Sequence, residues 1–343
     1  MKPILFTFVA ALTFAPMGVI FARQADCDSC SVSLRPLDLR QAPSDGELIR
    51  SGQLGGALSP REVKTPAGAG DRLLFGQAMD AWNRHDYQTA VPLFKRHLAA
   101  YPDSAWNGEA ELHLGCEDRF NGRYTQAERH FRQILVDRGG RADYSDDIAC
   151  KARLRLAMLE FMRGNFDQAE TMWTEMSHLD PDRRRRDHAR HWLMRASLYK
   201  TEAKWVRRCA VESLICLLQA SGKAEQADNL VGMPANADYG FRADELTALS
   251  AQCGLPLQGV QAQSAVGLPT PFIAHYRFNH FVTVTGRDAA GNLRLFDPIL
   301  NHVVTMTPEQ FAEEWSGLAL IPSDRFGQSL YLASSLPLES PVL

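Results

Sequence analysis

The chain has 343 residues, of which 45% are hydrophobic and 22% charged, and its formal net charge is −3. This composition is that of an ordinary globular protein, and the length exceeds what one hydrophobic core usually organises, so we expect two domains with accessory segments. The slightly acidic balance argues against a general affinity for nucleic acid or anionic membranes. The basic run Arg183–Arg186 lies between two aspartates, and we interpret it as a solvated turn between helices.

Residues 1–25 are typical of a secretory signal. Lys2 precedes an uncharged, largely apolar run from Pro3 to Ala22, with small residues near its end at which a signal peptidase could cut. The same run is long enough to remain as an uncleaved anchor, since about 20 apolar residues span a bilayer. We therefore expect an exported protein, periplasmic or extracellular, whose contact with the membrane is limited to such an anchor.

Residues 26–70 are rich in Pro, Gly, Ser and Ala and show no sustained period, which predicts a flexible linker. Cys27 and Cys30 have the spacing of a redox or metal pair, but no second pair follows them, so a local disulfide or no bond is favoured over a zinc site. The chain has seven cysteines, an odd number, so at least one thiol of an exported monomer stays unpaired. A catalytic cysteine would account for that thiol.

Residues 71–200 carry a repeated helical pattern. An alanine followed four residues later by an aromatic residue recurs at spacings of 37 and 42 residues, at Ala90, Ala127 and Ala169. Gly122 and Gly164 stand five residues before two of these alanines and turn the chain between paired helices. The pattern resembles tetratricopeptide repeats, whose unit is about 34 residues. The resemblance implies a solenoid, capped by a helix from Asp187 to Lys200, that binds a protein partner or, alternatively, serves as a rigid spacer docked on the next domain.

From Thr201 the repeat is lost and an α+β pattern begins. We predict a helix from Val211 to Ala220 and a second helix from Arg242 to Cys253. Three strands follow, at Phe272–His275, Phe281–Thr285 and Leu293–Phe296. The residues between the last two, Asp288–Asn292, are typical of a hairpin turn.

Three residues of this region have the chemistry of a thiol hydrolase. Cys209 stands at the N-terminus of the first predicted helix, where backbone N–H groups and the helix macrodipole favour a thiolate. His280 begins one strand of the hairpin and Asp297 ends the next, so folding the hairpin brings Asp297 opposite Val282, beside His280. Whether both side chains point to one face depends on the register. Cys, His and Asp in this order suggest a nucleophile, a base and an orienting carboxylate.

Residues 201–322 resemble the bacteriocin-processing cysteine peptidases, which remove double-glycine leaders and often form the N-terminal domain of a peptide exporter. The matching segments, in order, are Cys209-Ala210-Val211 with Ser213-Leu214, Pro271-Phe272-Ile273-Ala274-His275, His280-Phe281-Val282, Asp297-Pro298 and Trp315-Ser316-Gly317. The resemblance implies a papain-like fold and a peptide or protein substrate cleaved by Cys209, His280 and Asp297, without a cofactor or a metal. The expected architecture is thus an α-helical tetratricopeptide-repeat solenoid followed by an α+β papain-like cysteine peptidase domain, with residues 323–343 as a C-terminal tail.

The sequence departs from the family pattern at two places. Ala210-Val211 replaces the usual Gly-Pro after the nucleophile. The family also has a glutamine about six residues before the cysteine, which stabilises the oxyanion, and Ala203 stands there. Loss of one oxyanion donor costs roughly 10² to 10³ in rate, unless Lys204, Arg208 or another group substitutes.

Two alternatives stay open beside an active endopeptidase. One is a catalytically weak or inactive peptidase-like module that binds a peptide and acts as an accessory protein for secretion or surface assembly. The other is a chain that belongs to a larger exported polypeptide and processes segments beyond Leu343. Retention of Cys209, His280 and Asp297 favours the endopeptidase, whereas the alanine at 203 favours the binding module.

Overall fold

The computed structural model describes residues 37–52, 57–61, 67–137 and 144–326. The predicted signal or anchor, Cys27 and Cys30, and all of the predicted tail beyond residue 326 lie outside these residues. The N-terminal half is helical, with the elements α1 (Asp45–Arg50), α2 (Ala69–Asn83), α3 (Tyr87–Ala100), α4 (Asn107–Phe120), α5 (Tyr124–Asp137), α6 (Asp147–Met162), α7 (Phe166–Leu179) and α8 (Arg183–Thr201). No helix within the described ranges is long and apolar enough to cross a membrane.

The helices of this half pack in chain order, so that α2 pairs with α3, α4 with α5, and α6 with α7. Both predicted turn glycines have a positive φ, +73° at Gly122 and +80° at Gly164, and the equivalent turn of the first pair has His85 at φ 60°. The repeated alanines and the aromatic residues that follow them are fully buried, namely Ala90, Ala127, Ala169, Phe94, Phe131 and Trp173. The repeat therefore reflects close packing of successive helix pairs.

The basic run Arg183–Arg186 is not the solvated turn that we inferred from the sequence. It forms the first turn of α8, capped by the Asp182 side chain, which accepts from the N–H of Arg184. Arg185 is buried, and its guanidinium donates to Asp180 at 2.8 Å and to Asp147 at 2.5 Å. Because both carboxylates accept hydrogen bonds from its guanidinium, Arg185 is buried without being an unpaired charge.

A short helix lies within the segment predicted as a linker. Ser44 and Glu47 form a capping box at the start of α1, each side chain accepting from the other residue's backbone N–H. Leu48 of α1 is fully buried, and α1 packs against α2. This part of residues 26–70 is therefore attached to the helical half.

The C-terminal half combines helices with a six-stranded antiparallel sheet of order β1-β6-β2-β3-β4-β5. Its elements are α9 (Ala203–Val206), α10 (Cys209–Ala220), α11 (Ala224–Asp228), α12 (Ala243–Gln252), β1 (Leu257–Gln261), β2 (Phe272–Tyr276), β3 (His280–Arg287), β4 (Leu293–Asp297), β5 (His302–Met306), α13 (Pro308–Glu314) and β6 (Trp315–Pro322). The two predicted helices and three predicted strands are confirmed as α10, α12, β2, β3 and β4. Three further strands, β1, β5 and β6, were not predicted.

Both faces of the sheet are buried. On one face, Val211 and Leu214 of α10 share a cluster with Phe281 of β3. On the other, Val282 and Val284 of β3 belong to a cluster that continues into the helical half. Side chains alternate along a strand, so consecutive residues of β3 serve the two layers. The sheet therefore lies between α10 and the N-terminal helices, an arrangement that brings helical-half residues close to the edge of β3 and β4.

Candidate active site

Cys209 is the first residue of α10, as the sequence predicts. The residue before it, Arg208, caps the helix without a side-chain hydrogen bond to the first-turn N–H groups. Those N–H groups are therefore available to a negative charge at this helix end. Cys209 is half-buried.

His280 and Asp297 face each other across neighbouring strands. His280 begins β3 and Asp297 ends β4, and the pairing of Thr283 with Phe296 sets the register that places them side by side. His280 Nε2 donates to Asp297 Oδ1 at 2.8 Å, and both side chains are buried. The sequence did not fix this register. In the structure, the side chains of His280 and Asp297 point toward each other.

The third predicted residue joins this pair. A hydrogen bond with the Cys209 side chain and the charge of that side chain are among the causes that raise the pKa of His280, so the two groups interact. Because Asp297 occupies Nε2, Nδ1 is the ring nitrogen left to face the thiol. The structure thus brings Cys209, His280 and Asp297 together at one place.

The electrostatics of the pair favour an imidazolium beside a carboxylate. Burial by itself lowers the pKa of His280, but the charge of Asp297 and hydrogen bonds to Asp297 and Cys209 outweigh burial and raise that pKa well above its usual value. Burial raises the pKa of Asp297, yet the His280 charge and hydrogen bonds from His280, Tyr124 and the Ile299 N–H bring it below its usual value. The ion pair is therefore the stable form of these two groups around neutral pH.

Two backbone-directed hydrogen bonds hold α10 against β3. The Ser213 hydroxyl donates to the carbonyl of Phe281 at 2.9 Å, and the Thr283 hydroxyl donates to the carbonyl of Ser213 at 2.7 Å. Both bonds are buried, and they connect the helix of Cys209 to the strand of His280. Ser213 is part of the Cys209 motif in the sequence, which gave no sign of these hydrogen bonds to β3.

The oxyanion side of the site lacks a side-chain donor at the expected position. Ala203 begins α9 and is buried. The guanidinium of Arg208, a candidate substitute, donates instead to the carbonyls of Leu230 and Val231, at 3.3 and 2.8 Å. The ammonium of the other candidate, Lys204, lies 5.7 Å from the centre of the Trp205 ring. The N–H of Cys209, at the open end of α10, remains as a donor for an oxyanion.

Sequence reasoning missed one residue of the site, Tyr124. Its hydroxyl donates to Asp297 Oδ2 at 2.7 Å from the start of α5 in the helical half. Burial and the Asp297 charge raise the pKa of Tyr124 well above its usual value, so the hydroxyl stays protonated and donates a hydrogen bond to Asp297. In the sequence Tyr124 is simply the aromatic residue of the second repeat, equivalent to Tyr87 and Phe166, and this pattern carries no sign of a contact with Asp297.

The C-terminal half can now be compared with known protein families. Residues 202–327 match the model of the Peptidase C39 family. Over these residues the chain is similar to that family, and we call residues 202–327 the C39 domain. The resemblance to double-glycine peptidases inferred from the sequence is thereby confirmed.

The C39 domain is also similar to a solved structure described as a double glycine motif protease from an AMS/PCAT transporter in complex with the leader peptide. The two share 26% sequence identity with a TM-score of 0.29, and the likeness covers 34% of this chain and 86% of that chain. No curated protein matches the chain.

Proposed function

We propose that this protein is an exported cysteine endopeptidase that cleaves a peptide or protein substrate through Cys209, His280 and Asp297. The observation that carries the proposal is the 2.8 Å hydrogen bond between His280 and Asp297, together with Cys209, which interacts with His280 from the open N-terminus of α10. We divide the chain functionally into a tetratricopeptide-repeat domain, 71–200, that binds a protein partner, and the peptidase domain, 201–322. Export rests on the sequence of residues 1–25.

The geometry supports a two-step hydrolysis. The Cys209 thiolate attacks the carbonyl carbon of the scissile bond while the imidazolium of His280 stays beside it. The tetrahedral intermediate collapses, the C–N bond breaks, and His280 gives its proton to the departing amine. Water, deprotonated by neutral His280, then attacks the thioester, the C–S bond breaks, and the acid leaves with Cys209 as thiolate again.

Asp297 and the helix N-terminus supply the electrostatics of these steps. Asp297 holds the Nε2–H of His280, which directs Nδ1 to the sulfur and stabilises the positive charge that the ring carries. The N–H of Cys209 can donate to the oxyanion, but Ala203 offers nothing in place of the family's glutamine. We therefore propose a peptidase that is slower than its relatives by roughly 10² to 10³.

The test is the reactivity of Cys209 in the full chain. Iodoacetamide labelling is followed from pH 5 to 9 by peptide mapping, which separates Cys209 from the other six cysteines. A thiolate–imidazolium pair makes Cys209 react fast at pH 6, and His280→Ala abolishes that fast reaction. If Cys209 of the unchanged protein reacts only near pH 8.5 and is indifferent to His280→Ala, the enzyme proposal is refuted.

A second candidate is a peptidase-like module that binds a peptide without cleaving it, and the buried Ala203 is the observation that favours it. A Gly-Gly vinyl sulfone peptide distinguishes the two candidates. Covalent labelling of Cys209 that requires His280 supports catalysis. Saturable binding of a Gly-Gly peptide without labelling and without cleavage supports the binding module.

A further inference from the structure

In the second and third helix pairs, the residue that begins the second helix contacts the C39 domain. The helices α3, α5 and α7 begin with an aromatic residue, Tyr87, Tyr124 and Phe166. Tyr87 packs on Trp82 of the helical half, with ring centres 4.9 Å apart. The Tyr124 and Phe166 rings contact the C39 domain instead.

Each of these two aromatic residues contacts a residue that is close in sequence to a catalytic residue. The Tyr124 ring packs edge-on against Phe278 at 5.2 Å, and Phe278 in turn stacks on the ring of His280 at 5.6 Å. The guanidinium of Arg207 lies over the Phe166 ring, 5.5 Å from its centre. Arg207 precedes Cys209 by two residues. Successive repeats therefore contact the surroundings of the base and of the nucleophile.

The Tyr124 hydroxyl completes the hydrogen bonds of the catalytic carboxylate. Asp297 is fully buried, and its Oδ1 accepts from His280 Nε2 and from the N–H of Ile299, both at 2.8 Å. Its Oδ2 accepts from Tyr124 at 2.7 Å, and within the described ranges no other donor to this oxygen is seen. A buried carboxylate oxygen that loses its donor is costly, so it turns toward another donor or takes up a proton.

Two features keep the turn at this position. A Cβ on Gly122 would lie 3.0 Å from Met306 Cε and 3.5 Å from Asp297 Oδ2, so a side chain here would press on Met306, and the φ of +73° favours glycine. Glu314 of the C39 domain accepts from the Thr125 N–H at 2.7 Å and from the Thr125 hydroxyl at 3.0 Å. A carboxylate of one domain thus caps the N-terminus of α5 in the other.

We propose that the helical domain completes the active site, with Tyr124 as a positioning residue that holds Asp297 and, through it, His280. This inference rests on the proposed function, because it assigns Tyr124 to the Cys209–His280–Asp297 arrangement. Without the hydroxyl, Asp297 turns away from Nε2 or becomes protonated, and the imidazolium loses its partner. The helical half and the C39 domain then act as one catalytic unit.

The test compares Tyr124→Phe with Tyr276→Phe in the full chain. Tyr276 is a matched control because it is fully buried, its ring centre lies 5.8 Å from that of His280, and its hydroxyl faces Met306 Sδ at 3.9 Å. Two readouts are taken: the titration of His280 by NMR in a Cys209→Ser background, and the pH profile of Cys209 alkylation. Thermal unfolding of each variant shows whether the domains remain docked.

We expect Tyr124→Phe to lower the His280 titration midpoint and to slow Cys209 alkylation at pH 6 by roughly tenfold, the rate equivalent of one buried hydrogen bond. Tyr276→Phe should leave both unchanged. An unchanged or higher His280 midpoint in Tyr124→Phe, or the same shift in Tyr276→Phe, overturns the inference. If the unchanged protein shows no fast alkylation at pH 6 while Tyr124→Phe still shifts the His280 titration, the proposed function fails and the positioning by Tyr124 stands.

Discussion

The buried carboxyl of Glu314 gives the most direct test of how the two domains are held together. Burial raises the pKa of Glu314 to about 7, although hydrogen bonds from Thr125 and the charge of Arg163 act in the opposite direction. Glu314 is therefore charged at pH 8 at the expense of folding free energy. We expect Glu314→Gln, which has the same shape and no charge, to make the protein more stable at that pH.

The magnitude follows from linkage. A carboxyl that titrates near 4.5 when unfolded and near 7 when folded binds more protons in the folded state between these values. The free energy of unfolding of the wild type therefore decreases as the pH rises through this window. Complete ionisation costs about 3 kcal/mol, so Glu314→Gln should exceed the wild type by about 2–3 kcal/mol at pH 8 and equal it below pH 4.5.

The assay is denaturant unfolding of both proteins from pH 4.5 to 8, followed by tryptophan fluorescence, since Trp315 is next to Glu314 in the chain. Taking the difference between variant and wild type removes the contributions of other titrating groups. Glu313→Gln is the control, because Glu313 is partly exposed and pairs with Arg129 at the same domain boundary, at 3.0 Å. Parallel pH curves for Glu314→Gln and the wild type, or a variant less stable at pH 8, would refute the reasoning.

Three further outcomes are expected. Asp297→Asn should lower kcat by about 10² to 10⁴, because an amide carries no charge to stabilise the His280 imidazolium; activity within twofold of wild type would contradict the assigned role. Ala203→Gln should raise kcat by about 10² with little change in KM, and an unaltered kcat would mean that this position does not face the oxyanion. Phe131→Ala should cost about 3–5 kcal/mol of unfolding free energy, measured by urea titration, since Phe131 is fully buried; a loss below 1 kcal/mol would argue against tight packing there.

The sequence predicted the features that depend on neighbouring residues. Two helices and three strands of the C39 domain, and the turn glycines of the helical half, are local patterns of apolar spacing and of glycine. Cys209 was placed at a helix N-terminus by the apolar run that follows it. The strands β1, β5 and β6 were not predicted. β6 follows α13 without a turn signal, and β5 is mostly exposed.

The three candidate residues of the site were found from the sequence, but not their mutual orientation. His280 and Asp297 face each other through a register that includes a β-bulge between Val284 and Gly286. A shift by one residue would turn either side chain to the opposite face of the sheet. Their hydrogen bond is therefore a consequence of strand pairing and not of the sequence pattern.

By itself, then, the sequence determined the order of the elements, the packing repeat of the helical half and the identity of Cys209, His280 and Asp297 as candidates, because each rests on residues close together in the chain or on an ordered set of motifs. Only the tertiary structure decided that Tyr124 donates to Asp297 from 173 residues away, and that Glu314 caps α5. Contacts at such separation arise from how the helical half packs on the sheet. No local pattern encodes them, since the same aromatic position of the first repeat, Tyr87, packs on Trp82 of the helical half.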